Sequence, residues 1–339
     1  MKASVIIPTK NPGALFRQVL PAVLGQETGF DYEVLIVDSG STDGSVEYVD
    51  AMADERLRLH RIPPSEFGHG RTRNLAISLC RGEFAVLITH DALPADAHWL
   101  ARLVSMAESD GRIAGVFGRH IAYPSASPYT RRELETHFAG FQGSPIVALD
   151  DPALYAREEG YRKFLHFFSN NNSLIRRSVW EAFPFPEVDF AEDQAWAKDI
   201  IEAGFSKAYA DDAVVYHSHD FSLIEKMQRS FDEAHAFRRY FGYRLCPTFG
   251  MWFRGWTRDA ARDLKGAFRT GIWRTHPGAV MRRPLEHLMR STGHWLGTHG
   301  HRLPSFLAEK LSWDRRLLVG LRSGAAADVE HVSGSGYGH

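Results

Sequence analysis

Short, almost wholly apolar runs rich in Val and Ile, each leading into a polar cluster, constrain this chain more than any other feature. VIIPTKN opens the sequence, VLIVDSGSTDGS carries Asp38 and AVLITHDALP carries Asp91, while DFAEDQAW further on holds Glu192 and Asp193. Apolar runs of this kind read as buried parallel strands. In open α/β sheets, ligands bind beyond the carboxyl ends of such strands. Asp38 and Asp91 are therefore expected on one rim, where carboxylates can hold a nucleotide and a divalent cation.

Periodicity supplies the rest of the framework. Strands are expected at 4–8, 33–37, 57–62 and 84–89, with helices at 14–24, from about 45, and at 72–79. Such alternation implies βαβ units with right-handed crossovers. Beyond residue 112 the pattern loosens into strands at 115–118, 172–175 and 213–217, a helix at 195–203, and a polar insertion with helical pieces over 120–165. After Asp220 the texture turns Arg- and Trp-rich and helical. The expected organisation is an α/β domain over 1–220 with a mostly parallel central sheet, a mainly helical extension over 221–332, and a disordered tail over 333–339.

Composition removes some function classes. A formal net charge of -1 gives no support for a nucleic-acid partner. Cys80 and Cys246 are too few for a disulfide framework, which fits a reduced, cytoplasmic protein. The chain enters a strand at once, with no apolar leader. No stretch reaches the roughly 18–20 apolar residues of a membrane span, so any membrane contact is peripheral. WFRGWTRDAARDLKGAF has two readings: an amphipathic helix on an anionic membrane face, or aromatics packed on the rest of the chain or on a second subunit of a homodimer. The histidines near 294–301 are spaced too irregularly for a metal tract and read as a solvated loop.

The motifs VIIPTKN, VLIVDSGSTDGS, GRTRNLAI, THDALP and AEDQAW, in that order over roughly residues 3–220, resemble family 2 glycosyltransferases with the Rossmann-like GT-A fold. FGHGRTRN with THDALP resembles the bacterial rhamnosyltransferase branch. The resemblance implies an inverting enzyme moving L-rhamnose from dTDP-β-L-rhamnose onto a glycan or lipid-linked acceptor in surface polysaccharide (O-antigen) synthesis. A UDP-sugar donor is the alternative within the family, and a non-catalytic nucleotide-sugar-binding protein the alternative of another class. A nucleotidyltransferase would share the core, but no Gly-rich, Lys-containing N-terminal signature is present.

Residue roles follow from the same resemblance. Pro8, Thr9 and Asp38 fall to the nucleotide, while Asp43 reads as a helix cap. Arg71 or Arg73 would neutralise the diphosphate through forked N–H donors, and His69 would line the sugar pocket. Thr89-His90-Asp91 stands where the family carries Asp-x-Asp, leaving Asp91 as the retained ligand for Mn²⁺ or Mg²⁺ and His90 near the donor. His217 or His219, with His217 preferred, would supply a late imidazole ligand. Asp193 corresponds to the general base. Glu192, Asn171 and Asn172 would shape the sugar and acceptor pocket.

Overall fold

The computed structural model describes residues 1–188 and 190–323; the tail over 333–339 lies outside them. Nine strands form one sheet: β1 Ala3–Thr9, β2 Tyr32–Asp38, β3 Leu57–Arg61, β4 Phe84–Ile88, β5 Leu93–Pro94, β6 Ile113–Ile121, β7 Ile146–Val147, β8 Asn172–Arg176 and β9 Ser206–Tyr216. Their order is β3-β2-β1-β4-β8-β6-β9-β5, with β7 also paired to β9. The first four strands run parallel. β8 is antiparallel to both β4 and β6, which restores β6 and its parallel neighbour β9 to the direction of β4.

This topology collects the chemistry. The carboxyl ends of β1, β2, β4 and β9 and the amino end of β8 all meet one rim. Thr9, Asp38, the 89–91 turn, the 169–171 turn and His217 therefore become neighbours. Alternation along the strands fills both faces, as buried strands require. Val5, Ile7, Val34 and Ile36 pack with the helices Gly13–Leu24 and Trp99–Glu108. Ile6, Leu35, Val37 and Leu87 pack with His69–Leu79 and Glu192–Glu202.

Three segments depart from the sequence reading. β9 begins seven residues before the expected strand at 213, because Lys207, Asp211 and Asp212 mask its apolar side. The helix expected at 195 begins at Glu192, preceded by Ala191 at φ 60°, a left-handed conformation rare outside glycine. Residues 294–298 end the helix Pro277–Thr298 instead of forming a loop, and His294 pairs with Glu233 at 3.0 Å.

Beyond Tyr216 every described element is helical. The Trp-rich segment is the helix Phe249–Thr270, where Trp252 donates to Thr292 Oγ1 and Trp256 to the Pro284 carbonyl. Asp263 is buried and accepts from Arg132, Arg283 and His287 at 2.6, 2.7 and 2.8 Å, and Arg283 also pairs with Glu133. This network fastens two long C-terminal helices to Pro128–Ala139 of the 120–165 insertion. No helix among the described residues is long and apolar enough to cross a membrane.

Candidate active site

A cavity of about 460 Å³ opens at the rim, lined by Pro8, Thr9, His69, Arg73, His90, Asp91, Asn171, Glu192, Asp193 and His217. It has three chemically different regions. The first is the turn after β1 and β2. Thr9 Oγ1 donates to Asp38 Oδ2 at 3.1 Å, and Asp38 Oδ1 accepts the backbone N–H of Gly40 and Ser41 at 2.8 and 2.9 Å. Asp38 is only 2% exposed and does not line the cavity, so it shapes the turn from beneath. Lys10, half-buried, and the buried Ser39 supply polar lining there. Asp43 accepts from Gly13 N and Ser45 N, the first residues of two helices, although Gly44 and not Asp43 occupies the cap position of the second.

The second region holds a carboxylate and two imidazoles that could ligate a cation. Asp91 Oδ1 lies 3.6 Å from His217 Nε2, Asp91 Oδ2 lies 3.2 Å from His219 Nε2, and the two imidazole nitrogens are 3.3 Å apart. The sequence reading made His217 and His219 alternatives; the fold brings both to Asp91. Burial would raise the Asp91 carboxyl, but the imidazoles of His217, His219 and His90 outweigh it and hold it well below the usual range. Burial lowers His217 to about 4, with Asp91 opposing and His219 and Arg229 adding to the fall. Asp91 is thus an ionised carboxylate and the His217 imidazole is neutral, the forms that ligate metal. Its donor atoms all lie within 4.8 Å of one another, and the mixed N/O set suits Mn²⁺. His90 Nδ1 is turned to the Pro8 carbonyl at 3.4 Å.

The third region is acidic. Asp193 Oδ1 accepts the Gln194 N–H at 2.8 Å and Oδ2 the Asn170 N–H at 3.2 Å. Burial and then the charge of neighbouring Glu192 raise its pKa to about 7. Glu192 itself pairs with Arg73 at 2.9 Å and accepts from Asn170 Nδ2 at 3.2 Å. Desolvation opposes its ionisation, but Arg73 and His69 prevail and its pKa is lowered. Two adjacent acids are thereby driven apart: one firmly ionised, one able to exchange a proton near neutrality.

Several residues take positions the sequence did not indicate. Arg71 turns outwards to a surface pair with Glu187 at 2.9 Å and lines no part of the cavity. Arg73 lines it but is engaged by Glu192. Asn172, with 0% exposure, accepts from Trp99 Nε1 at 2.8 Å and donates to the Ala213 and Arg119 carbonyls, holding the sheet and not the pocket. A Cβ at Gly118 would lie 2.3 Å from both Asn172 Nδ2 and the Ala213 carbonyl oxygen, so glycine makes that approach feasible. Unforeseen contributors are Arg229, Trp313 and Asp314. Arg229 lines the cavity and lies over the Phe221 ring at 4.9 Å. Lys207 is buried beneath the site, its Nζ donating to the Phe164 and Phe167 carbonyls just before the 169–171 turn. A lone lysine in a strand gives no sequence signal of such a role.

The model of the family described as "Glycosyl transferase family 2" matches residues 4–183. The chain belongs to glycosyl transferase family 2. An O-antigen chain rhamnosyltransferase, RfbN of Salmonella typhimurium, is 32% identical over 90% of this chain and 92% of its own length. Another, WbaN of Salmonella anatum, is 29% identical over 89% and 90%. Among solved structures, mannosyltransferase PcManGT of Pyrobaculum calidifontis, in complex with GDP-Man and Mn²⁺, superposes with a TM-score of 0.59 at 18% identity over 88% of this chain and 86% of that one. The family 2 glycosyltransferase described here thus has the GT-A fold, and its rim cavity is where the family's enzymatic chemistry is to be sought.

Proposed function

We propose that this glycosyltransferase transfers L-rhamnose from dTDP-β-L-rhamnose to a glycan or lipid-linked acceptor during O-antigen-type polysaccharide synthesis. The near full-length similarity to two O-antigen chain rhamnosyltransferases supports the sugar and the pathway class. The observation that carries the chemistry is one cavity holding both the Asp91–His217–His219 group and a buried Asp193 whose pKa is raised to about 7.

In this reading the nucleotide lies along Pro8 and Thr9, above the turn that Asp38 organises. Asp193 accepts the acceptor hydroxyl proton as that oxygen bonds to the anomeric carbon. The bond from that carbon to the diphosphate oxygen breaks on the opposite side, dTDP leaves with the electron pair, and the β donor gives an α-L-rhamnoside. A divalent cation held by Asp91, His217 and His219 would supply positive charge to the diphosphate. Arg229 takes the part that sequence reasoning gave to Arg71 or Arg73, adding a protein cation beside the same group. Glu192 keeps Asp193 basic enough for its task and is itself neutralised by Arg73. Residues 1–220 hold donor and base, and the helical extension supplies part of the cleft wall.

Peripheral contact with the cytoplasmic face of the membrane fits the surface of the helix Phe249–Thr270. Trp252, Trp256, Asp263 and Ala267 form its inward side. Phe249, Phe253, Leu264 and Phe268 are exposed on the adjoining side, and Arg254, Arg258, Arg262, Lys265 and Arg269 follow around the helix. An apolar strip bordered by cations is the arrangement that seats a helix on anionic lipid.

Thermal shifts with dTDP-rhamnose, UDP-glucose, UDP-N-acetylglucosamine and GDP-mannose, each with Mn²⁺, test the donor, because a ligand that binds only the folded state raises the melting temperature. dTDP-rhamnose should give the largest rise, and product analysis should show a rhamnoside. A larger rise with a UDP-sugar would replace the donor assignment.

A further inference from the structure

The rim cavity is completed by two residues far outside its motifs. Trp313 and Asp314 begin the helix Trp313–Ser323 and line the cavity together with His69, Glu192 and Asp193. Asp232, buried on the helix Leu223–Ala236, fixes them there. Its Oδ2 accepts the backbone N–H of Trp313 at 2.8 Å and of Asp314 at 3.2 Å. One carboxylate therefore satisfies two of the otherwise orphaned donors of that helix end.

The Asp314 side chain has no comparable use. It is 7% exposed, and its nearest cationic partner is His69 Nε2 at 3.7 Å, beyond hydrogen-bond reach. That long ion pair to His69 is the one side-chain partner its carboxylate has among the described residues. A buried carboxylate held by one long ion pair is costly. The cost is higher beside a second buried acid, and burial followed by the Asp314 charge pushes Asp232 up to about 7. Capping does not require an acid at 314, since Asp232 and the Ser312 hydroxyl already hold the first turn. A carboxylate that lines a cavity with one long imidazole contact keeps lone pairs free for further donors, and sugar hydroxyls are donors. Trp313 next to it offers a flat ring suited to the C–H face of a pyranose.

We propose that Trp313 and Asp314 form the subsite for the acceptor sugar, Asp314 accepting its hydroxyl hydrogens and Trp313 carrying its apolar face. The proposal rests on the glycosyltransferase reading of the cavity. The subsite belongs to the acidic end and not the metal end. His69 feels both Asp314 and Glu192: burial alone would depress its pKa, and the two acids outweigh burial and raise it. A sugar seated against Asp314 is thus within the region where one of its hydroxyls can meet Asp193. Acceptor choice would then be written in the helical extension, apart from the donor motifs.

The test uses the full chain with Mn²⁺ and dTDP-rhamnose, and p-nitrophenyl glycosides of galactose, mannose, glucose and rhamnose as acceptor probes. In Asp314→Asn and Trp313→Ala the acceptor KM should rise about tenfold or more, the effect of losing a hydrogen bond to a charged group or a stacking face. The dTDP dissociation constant should stay within about twofold, because donor contacts are untouched. Asp314→Glu, which keeps the charge, should recover part of the acceptor KM. Unchanged acceptor KM in both variants overturns the proposal. So do parallel losses of dTDP affinity and melting temperature, which would mark a structural role. Absence of saturable transfer to every probe, by a wild type that hydrolyses donor, also overturns it, since a built sugar subsite must hold a sugar. If the wild type neither binds nor hydrolyses dTDP-rhamnose, it is the donor assignment that fails. The variants are then compared with the sugar nucleotide that stabilises the protein most.

Discussion

Arg73 Nη1 lies 2.9 Å from Glu192 Oε1, and both side chains are almost completely buried. The pair explains why the next residue behaves differently. A neutralised but still ionised Glu192 is a fixed negative neighbour for Asp193, which lacks a cation of its own and keeps its proton to about 7.

The first expectation is a pH profile. If Asp193 is the base, the transfer rate should climb as pH rises through about 7, because only the ionised carboxylate accepts a proton. Removing the Glu192 charge in Glu192→Gln should move that acid limb towards the ordinary carboxylate range. An unmoved limb would mean that another group titrates.

Asp193→Asn should lower transfer by about 10³-fold while dTDP affinity is kept. It should also stabilise the protein in alkali. Above the usual carboxylate range the folded chain holds a proton that the unfolded chain has lost, so Asp193 subtracts stability as pH rises through about 7. The variant escapes this loss, and at pH 8 it should be more stable by about 1–3 kcal/mol, read from urea melts.

Substitution at Asp91 should separate metal from nucleotide. Asp91→Ala should weaken Mn²⁺-dependent binding of dTDP about tenfold or more while leaving thymidine binding unchanged, since a divalent cation needs several ligands. His219→Ala should weaken it as well, although its ring is the more exposed of the two imidazoles. Equal dTDP affinity with and without chelator would assign the diphosphate to Arg229 alone.

Asn172 and Arg71 provide a contrast. Asn172→Ala removes a buried acceptor for Trp99 and a donor to two carbonyls, and should destabilise by about 2–3 kcal/mol. Arg71→Ala breaks only an exposed pair and should change stability by less than about 1 kcal/mol. It should leave dTDP affinity unaltered.

The exposed strip on Phe249–Thr270 makes a vesicle experiment decisive. The wild type should sediment with phosphatidylglycerol-containing vesicles and release on adding salt, and Phe253→Ser with Phe268→Ser should abolish the association. A concentration-dependent dimer lost in the same double variant, with no vesicle binding, would assign the strip to a second copy.

What could be read beforehand followed local rules. Buried strands announce themselves as apolar runs, strand-end motifs put Asp38 and Asp91 on one rim, and the family resemblance added Asp193 and His217 to the site. Reading failed where a side chain's partner comes from elsewhere. Nothing near Arg73 says that it will be spent on Glu192, over a hundred residues away, while Arg71, two positions earlier, is turned outwards to the surface. Within the three asparagines of 170–172, one position decides the role. Asn170 serves the acids, whereas Asn172 begins the antiparallel strand β8 and faces Trp99. β9 was underestimated because Lys207 is buried with its Nζ over the rings of Phe117, Phe141, Phe164 and Phe167, an apolar setting that its charge conceals. Asp314 has no motif at all.

The clasp of Asp232 on the start of the last described helix lies wholly within the helical extension, which thereby carries one wall of the cleft by itself. A chimaera pairing the first 220 residues of one homologue with the remainder of another would take its activated sugar from the front and its partner molecule from the back. A chain cut before residue 313 would still grip nucleotide, yet leave the reacting carbon open to water, turning a polymer builder into a slow waster of donor.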